Sequence, residues 1–355
     1  MPSLKQQNDN LKETFLEPVN VFDYQTLAQA RMEPAAWDYV QSGVDDEVTL
    51  HANRRAFERI RLRPRMLVDV STCDMHTTVL SAPVSMPILI APTGFQCFAH
   101  PEGECVTAQA AGNVDTLMVV SSSATRSLED IAYAASGPLW FQLYFYGRKN
   151  ALSLVHRAEI AGYRALVITV DAPRWGRKER AMRSSFSLPS HLVEANFTGE
   201  EDVEEYAAIT WEALDWLRSL TSLPIILKGI LTAEDALLAV EHGIDGLVVS
   251  NHGGRQLDSV QASIEALPEV VEVVDGRCEI YLDGGIRRGT DILKALSLGA
   301  RAVLVGRPIL WGLAANGAEG ISHVLELLRT ELELAMALAG CPTLASIDRS
   351  LVKFV

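Results

Sequence analysis

The stretch EIYLDGGIRRGTDILKALSLGARAVLVGR, residues 279–307, decides the fold. It opens on a short apolar run, passes through glycines into a helical pattern from Thr290, reaches Gly299, and enters a second apolar run at Ala302. That is one strand–helix–strand unit, closed by a glycine suited to a left-handed helix cap. The alternation extends back along the chain to about residue 86. The runs are ILIAP (88–92), TLMVVS (116–121), LWFQLY (139–144), ALVITVD (165–171), PIILKG (224–229), GLVVSN (246–251), EIYLDG (279–284) and AVLVGR (302–307). Each is continuously apolar rather than alternating, as parallel strands covered on both faces require. Helical patterns separate them from Ser127, Ala151, Thr232 and Thr290, with acidic residues in the first turn after Ser127 and Thr232 and glycines at 162, 243 and 299.

Eight such repeats without a break in phase predict an α/β fold, a closed (β/α)8 TIM barrel. The alternative, a doubly wound open sheet, would carry a glycine-rich turn after its first strand, and Pro92-Thr93-Gly94 is not one. Residues 20–355 are expected to form one domain behind a flexible N-terminus, 1–19. Helical patterns and a hairpin between 20 and 84 predict an N-terminal helical cap on the barrel. The polar stretch between Phe186 and Trp211 interrupts the fourth β–α connection and is expected to form a mobile lid. Its tip, GEEDVEE, reads as solvated surface rather than a metal site, because no histidine lies within it.

The formal charge of −14 argues against nucleic-acid or anionic-membrane partners, which need basic surface. Five cysteines, Cys73, Cys97, Cys105, Cys278 and Cys341, lack any paired spacing and read as free thiols of a reducing compartment. The polar N-terminal stretch lacks the apolar core of a signal peptide, and no run approaches the ~20 residues of a membrane span. A soluble cytoplasmic protein is the expectation.

In such a barrel the site lies where the strands end. Those ends carry Pro92, Thr93 and Gly94; Ser121 to Ser123; Gln142 and Tyr144; Thr169 and Asp171; Lys228; Ser250, His252 and Arg255; Asp283, Gly284 and Gly285; and Gly306 and Arg307. Folding alone does not require polar groups at eight coincident ends. Glycines with Arg287 and Arg307 after the last two strands suit a phosphate. His252 is the natural proton acceptor near neutral pH, and Asp171 is a carboxylate able to support it. Arg255 offers a two-pronged donor for a carboxylate. Lys228, leaving an apolar strand, reads as a fixed positive charge rather than a lysine reaching for solvent.

SNHGGRQLD (250–258), LKGILTAEDA, YLDGGIRRGTDILKALSLGA, VGRPILWGLA, WDYVQSGVDDEVTL, RIRLRPRML and IAPTGF resemble the FMN-dependent α-hydroxy acid oxidases and dehydrogenases from about residue 20 onward. That group includes lactate, glycolate, mandelate and 4-hydroxymandelate enzymes. The resemblance implies FMN contacts at Pro92, Thr93, Gly94, Ser121, Gln142, Thr169, Lys228 and Ser250. It places the phosphate on Asp283, Gly284, Gly285, Arg287, Gly306 and Arg307. It implies that His252 takes the substrate hydroxyl proton, oriented by Asp171, while Lys228 stabilises negative charge on the reduced ring. Arg255 would hold the substrate carboxylate, with Tyr39 and Tyr144 completing the pocket.

Two positions depart from the pattern. Lys178 stands where the family usually has a second carboxylate-binding arginine, which keeps charge but loses the fork, and Arg177 or Arg180 could stand in. Ser123 stands where glycolate oxidase has tryptophan, which predicts a larger side-chain pocket. Gly94 is alanine in several relatives and bears on oxygen access.

The expected reaction is oxidation of an L-2-hydroxy acid by FMN with O2 as acceptor, yielding the 2-oxo acid and hydrogen peroxide. Lactate or a range of aliphatic acids is favoured, and a mandelate-type oxidase or a soluble dehydrogenase is the alternative. The absence of a haem unit ahead of the barrel and of a membrane segment in the fourth connection favours oxygen. Remoter readings are an FMN-barrel isomerase, a flavin-free phosphate-binding aldolase and a silent flavin binder. A homo-oligomer, tetramer or octamer, is expected, with no metal.

Overall fold

The computed structural model describes residues 17–189, 192–197 and 209–355. Eight parallel strands close into a barrel. They are preceded by β1 (Ile60–Leu62), β2 (Thr77–Val79) and β3 (Ala82–Val84). The barrel strands are β4 (Ile88–Ile90), β5 (Met118–Ser121), β6 (Leu139–Leu143), β7 (Leu166–Thr169), β8 (Ile225–Ile230), β9 (Gly246–Val249), β10 (Glu279–Asp283) and β11 (Ala302–Val305). β11 pairs with β4 through Val303–Ile88 to Val305–Ile90, which closes the ring and excludes the open sheet. Every apolar run of the sequence holds a strand.

The strands divide their side chains between two apolar compartments. Leu89, Val119, Trp140, Val167, Ile226, Val248, Tyr281 and Leu304, one from each strand, fill the interior. Their neighbours Ile88, Ile90, Met118, Phe141, Ile168, Leu227 and Leu282 face the helices. This alternation explains why the middle of each of these strands is apolar. Trp140 and Tyr281 meet edge to face across the interior at 5.5 Å.

Helices begin where the residues can cap them. Ser127 and Thr232 accept from the backbone N–H of Asp130 and Asp235, and Gly162, Gly243 and Gly299 take positive φ at the far ends. The helix read from Ala151 starts earlier, at Arg148. Its first turn, Arg148-Lys149-Asn150, is polar and so is invisible to an apolar period.

The segment before the barrel serves two faces rather than one. Three helices, α1 (Val21–Arg31), α2 (Pro34–Gln41) and α3 (Val48–Glu58), come first. α2 packs against the helix Glu179–Arg183, which follows the C-terminal end of β7. The β2–β3 hairpin instead packs Val79, Ala82 and Val84 against the barrel interior, and the Leu80 N–H donates to Glu279 at the start of β10. It therefore plugs the N-terminal mouth, leaving the C-terminal mouth open for chemistry. The chain ends in β12 (Val352–Phe354), which pairs antiparallel with β1. Residues 1–16 and the GEEDVEE tip lie outside the described residues. Among the described residues no helix is long and apolar enough to cross a membrane.

Candidate active site

A cavity of about 570 Å³ opens at the C-terminal mouth. Every strand end contributes expected residues to its lining, and seven of them contribute Pro92, Thr93 and Gly94; Ser121 and Ser123; Gln142 and Tyr144; Thr169; Lys228; Asp283, Gly284, Gly285 and Arg287; and Gly306 and Arg307. The β9 end supplies His252, Gly253 and Arg255, while α2 brings Tyr39 and the loop after β7 brings Lys178. Ser250 and Asp171 stand one layer back, each bonded to a lining residue.

The motif 250–258 divides into chemical and structural members. Asn251 and Asn53 exchange a reciprocal pair of side-chain amide bonds, each 2.8 Å. Asp258 accepts from the N–H groups of Val48 and Thr49, capping α3 from across the chain. Gln256 accepts from the Gly176 N–H at 2.9 Å. These three tie the loop to its surroundings while His252, Gly253 and Gly254 all take positive φ. At Gly254 a Cβ would stand 2.6 Å from the Leu50 nitrogen, so close approach as well as φ demands glycine.

His252 is oriented from both sides. Its Nδ1 lies 3.0 Å from Asp171 Oδ1 and its Nε2 lies 3.4 Å from the Tyr144 hydroxyl. Burial pushes the imidazole below its ordinary pKa, and Asp171 only partly offsets this, so the ring is poised neutral. Burial alone would raise the Asp171 carboxyl, but His252 and Lys228 outweigh it and hold it low. Tyr144 stays protonated, since burial and then the Asp171 charge push its hydroxyl well up.

Lys228 bonds Ser250 Oγ at 3.0 Å and pairs with Asp283 Oδ2 at 2.9 Å. Burial alone would lower this lysine, yet Asp283 and Asp171 outweigh it and keep it charged. Asp283, grouped by the sequence with the phosphate-holding residues, is therefore the counter-ion of Lys228. A carboxylate would repel a phosphate, so the side chain of Asp283 is suited to the lysine and to a hydroxyl rather than to that anion. Arg255 also differs from the expected free fork, because Nη1 is spent on the carbonyls of Tyr39 and Ser42 at 2.9 and 2.8 Å. That fixes the guanidinium beside the Tyr39 ring, 5.0 Å from its centroid.

Around Lys178 the structure settles which cation faces the cavity. Arg177 is exposed and turned to Glu179, and Arg180 pairs with Glu47, so neither stands in for the missing arginine. Burial, and then Arg255, bring Lys178 down to about 8. Sequence reasoning missed Phe95, Phe98, Tyr146, Trp175, Glu194 and Phe197, which form the outer walls. They sit in loops without periodicity, where no pattern singles them out.

The residues fit FMN. Desolvation pushes Arg287 down to about 9 and Arg307 well below its usual value, and two half-buried cations beside the positive-φ glycines 284 and 285 suit a dianionic phosphate. Asp283 Oδ1 is buried without a hydrogen-bond partner, an acceptor matched to a sugar-alcohol hydroxyl. The described residues hold no cluster suited to a metal ion.

The comparisons with known proteins agree with this geometry. Residues 28–354 match the family model described as FMN-dependent dehydrogenase. An L-lactate oxidase of Nostoc sp. is 52% identical, covering 94% of this chain and 97% of that protein. Glycolate oxidase 1 of Zea mays is 49% identical, covering 94% and 95%. A solved mandelate oxidase variant with (S)-mandelic acid superposes with a TM-score of 0.91 at 43% identity, covering 96% and 99%.

Proposed function

The chain belongs to the FMN-dependent dehydrogenase family, and from that premise we propose that it oxidises an L-2-hydroxy acid to the 2-oxo acid and passes the electrons to O2, yielding hydrogen peroxide. The observation that carries this is His252, half-buried at the cavity and held by Asp171, beside Lys228 on the neighbouring strand, which is paired with Asp283.

Bound FMN supplies the acceptor for the two electrons that leave the substrate Cα. Everything else falls to the chain. The Arg255 guanidinium and Lys178 ammonium hold the substrate carboxylate, and the Tyr39 and Tyr144 hydroxyls complete its pocket. His252 Nε2 takes the hydroxyl proton as Cα is oxidised. Asp171 keeps the proton on Nδ1, so that the Nε2 lone pair faces the cavity, and stabilises the imidazolium that forms. Lys228 places a fixed positive charge at the cofactor ring, and Arg287, Arg307 and the glycines near them hold the phosphate. Pro92, Thr93, Gly94, Ser121, Gln142, Thr169 and Ser250 complete the cofactor's bed.

Lactate and other aliphatic 2-hydroxy acids are the favoured substrates. The aromatic wall of Phe95, Phe98, Trp175 and Phe197 supports mandelate-type acids as the second reading. A homo-oligomer, tetramer or octamer, is supported by Leu334 and Leu338, exposed on the C-terminal helical run. Five free thiols support a reducing, cytoplasmic setting. Anaerobic bleaching of flavin absorption by L-lactate, glycolate and (S)-mandelate tests the reaction. Re-oxidation in air with peroxide formation separates an oxidase from a dehydrogenase using another acceptor.

A further inference from the structure

The described part of the fourth β–α insertion is bolted to the barrel. The Ala195 N–H donates to the Ala124 carbonyl at 3.0 Å. The fully buried Asn196 accepts from the Leu128 N–H at 2.8 Å and donates to the Ser122 carbonyl at 3.1 Å. Arg157 donates to the Asn196 carbonyl at 2.9 Å. These bonds fix the two residues that follow Glu194 and so hold it at the cavity wall, which Ser123 also lines.

The position is defined by the ring. Ser123 follows β5 and Arg255 follows β9, four places apart in the closed order of eight strands, hence on opposite sides of the mouth. A substrate whose carboxylate lies at Arg255 and Lys178 directs its side chain across the mouth towards Ser123 and Glu194. No ion pair satisfies Glu194 among the described residues, and burial pushes its carboxyl above the usual range. A largely aromatic wall thus carries, at Glu194, a carboxyl with acceptor capacity to spare. A cationic side chain is disfavoured there, because Lys178, Arg255 and Arg307 line the same cavity.

We propose that Glu194, positioned by the bonds of Ala195 and Asn196, is the specificity-determining residue for the substrate side chain and selects 2-hydroxy acids whose side chain ends in a neutral hydrogen-bond donor, an alcohol or a phenol. The inference rests on the 2-hydroxy acid reading and narrows its substrate class. A site built to accept from a hydroxyl discriminates against the analogue lacking it, because an apolar substrate group would cover the half-buried carboxyl and leave its acceptor unpaired.

The test uses the FMN-loaded enzyme and two matched pairs: 2,4-dihydroxybutanoate against 2-hydroxybutanoate, and 4-hydroxymandelate against mandelate, all as the L or (S) forms. The readout is the ratio of kcat/KM within a pair, so a general loss of activity cancels. The wild type is expected to prefer the hydroxyl-bearing member of at least one pair by about tenfold or more. Glu194→Leu, or Glu194→Ala should leucine prevent folding, is expected to bring that ratio to about one. Equal use of both members in both pairs, or a preference that survives the substitution, overturns the inference alone. Failure of all four acids to bleach the flavin overturns the 2-hydroxy acid reading and the inference with it.

Discussion

His252 Nδ1 lies 3.0 Å from Asp171 Oδ1, and that contact decides which imidazole nitrogen is free to act. An amide in place of the carboxylate can present its N–H instead and turn the tautomer round, and it withdraws the charge that supports the imidazolium. Asp171→Asn is therefore expected to lower kcat by about 10²- to 10⁴-fold. Flavin content, read from absorption, should stay near that of the wild type.

The depressed pKa of His252 carries a sign. The ring is neutral and competent above that value and becomes charged as pH falls through it, so kcat/KM should drop on the acid side. A rate profile with no acid limb at any pH at which the enzyme stays folded would remove His252 from the role of base.

Lys178 acts at the other limb. Burial and Arg255 lower it to about 8, so its charge is present below that pH and lost above it. KM for the substrate carboxylate should rise as pH passes about 8, while kcat moves less. Lys178→Arg should remove the rise and lower KM, because the guanidinium keeps its charge and adds the fork.

Gly254 is expected to tolerate no side chain. Its φ is +73°, and a Cβ there would stand 2.6 Å from the Leu50 nitrogen, so Gly254→Ala must shift the loop carrying His252 and Arg255 against α3. The cost is about 1–3 kcal/mol of stability, measurable by denaturant unfolding, with activity falling further than stability alone explains.

Trp140, 1% exposed in the barrel interior, tests the core. Trp140→Ala leaves a cavity against Tyr281 and should cost about 3–5 kcal/mol in denaturant unfolding of the holoenzyme.

Much of this was legible in the sequence, for identifiable reasons. Strands covered on both faces must be apolar through their middles, so their polar ends stood out, and those ends proved to line one cavity. His252, Arg255, Lys228 and the terminal glycines followed from that contrast. What stayed hidden depends on orientation or long-range contact. Asp283 reads as part of a phosphate turn, and its pairing with Lys228 shows only in three dimensions. Lys178, Arg177 and Arg180 are one short stretch of cations in sequence, and only the turn before the helix Glu179–Arg183 shows which faces inward. Glu194 lies in a polar, aperiodic insertion, where nothing distinguishes it from its solvated neighbours until Asn196 is found pinning it to the barrel. The β2–β3 hairpin reads as a hairpin from its residues, but its place at the opposite mouth comes from packing.

The central claim is that this site oxidises 2-hydroxy acids, and anaerobic titration of the flavin absorption tests it most directly. The account predicts that at least one L-2-hydroxy acid bleaches the flavin with one equivalent of 2-oxo acid formed, and that His252→Ala slows this by about 10²-fold or more while dithionite still reduces it. A flavin that dithionite bleaches and no 2-hydroxy acid does would contradict it.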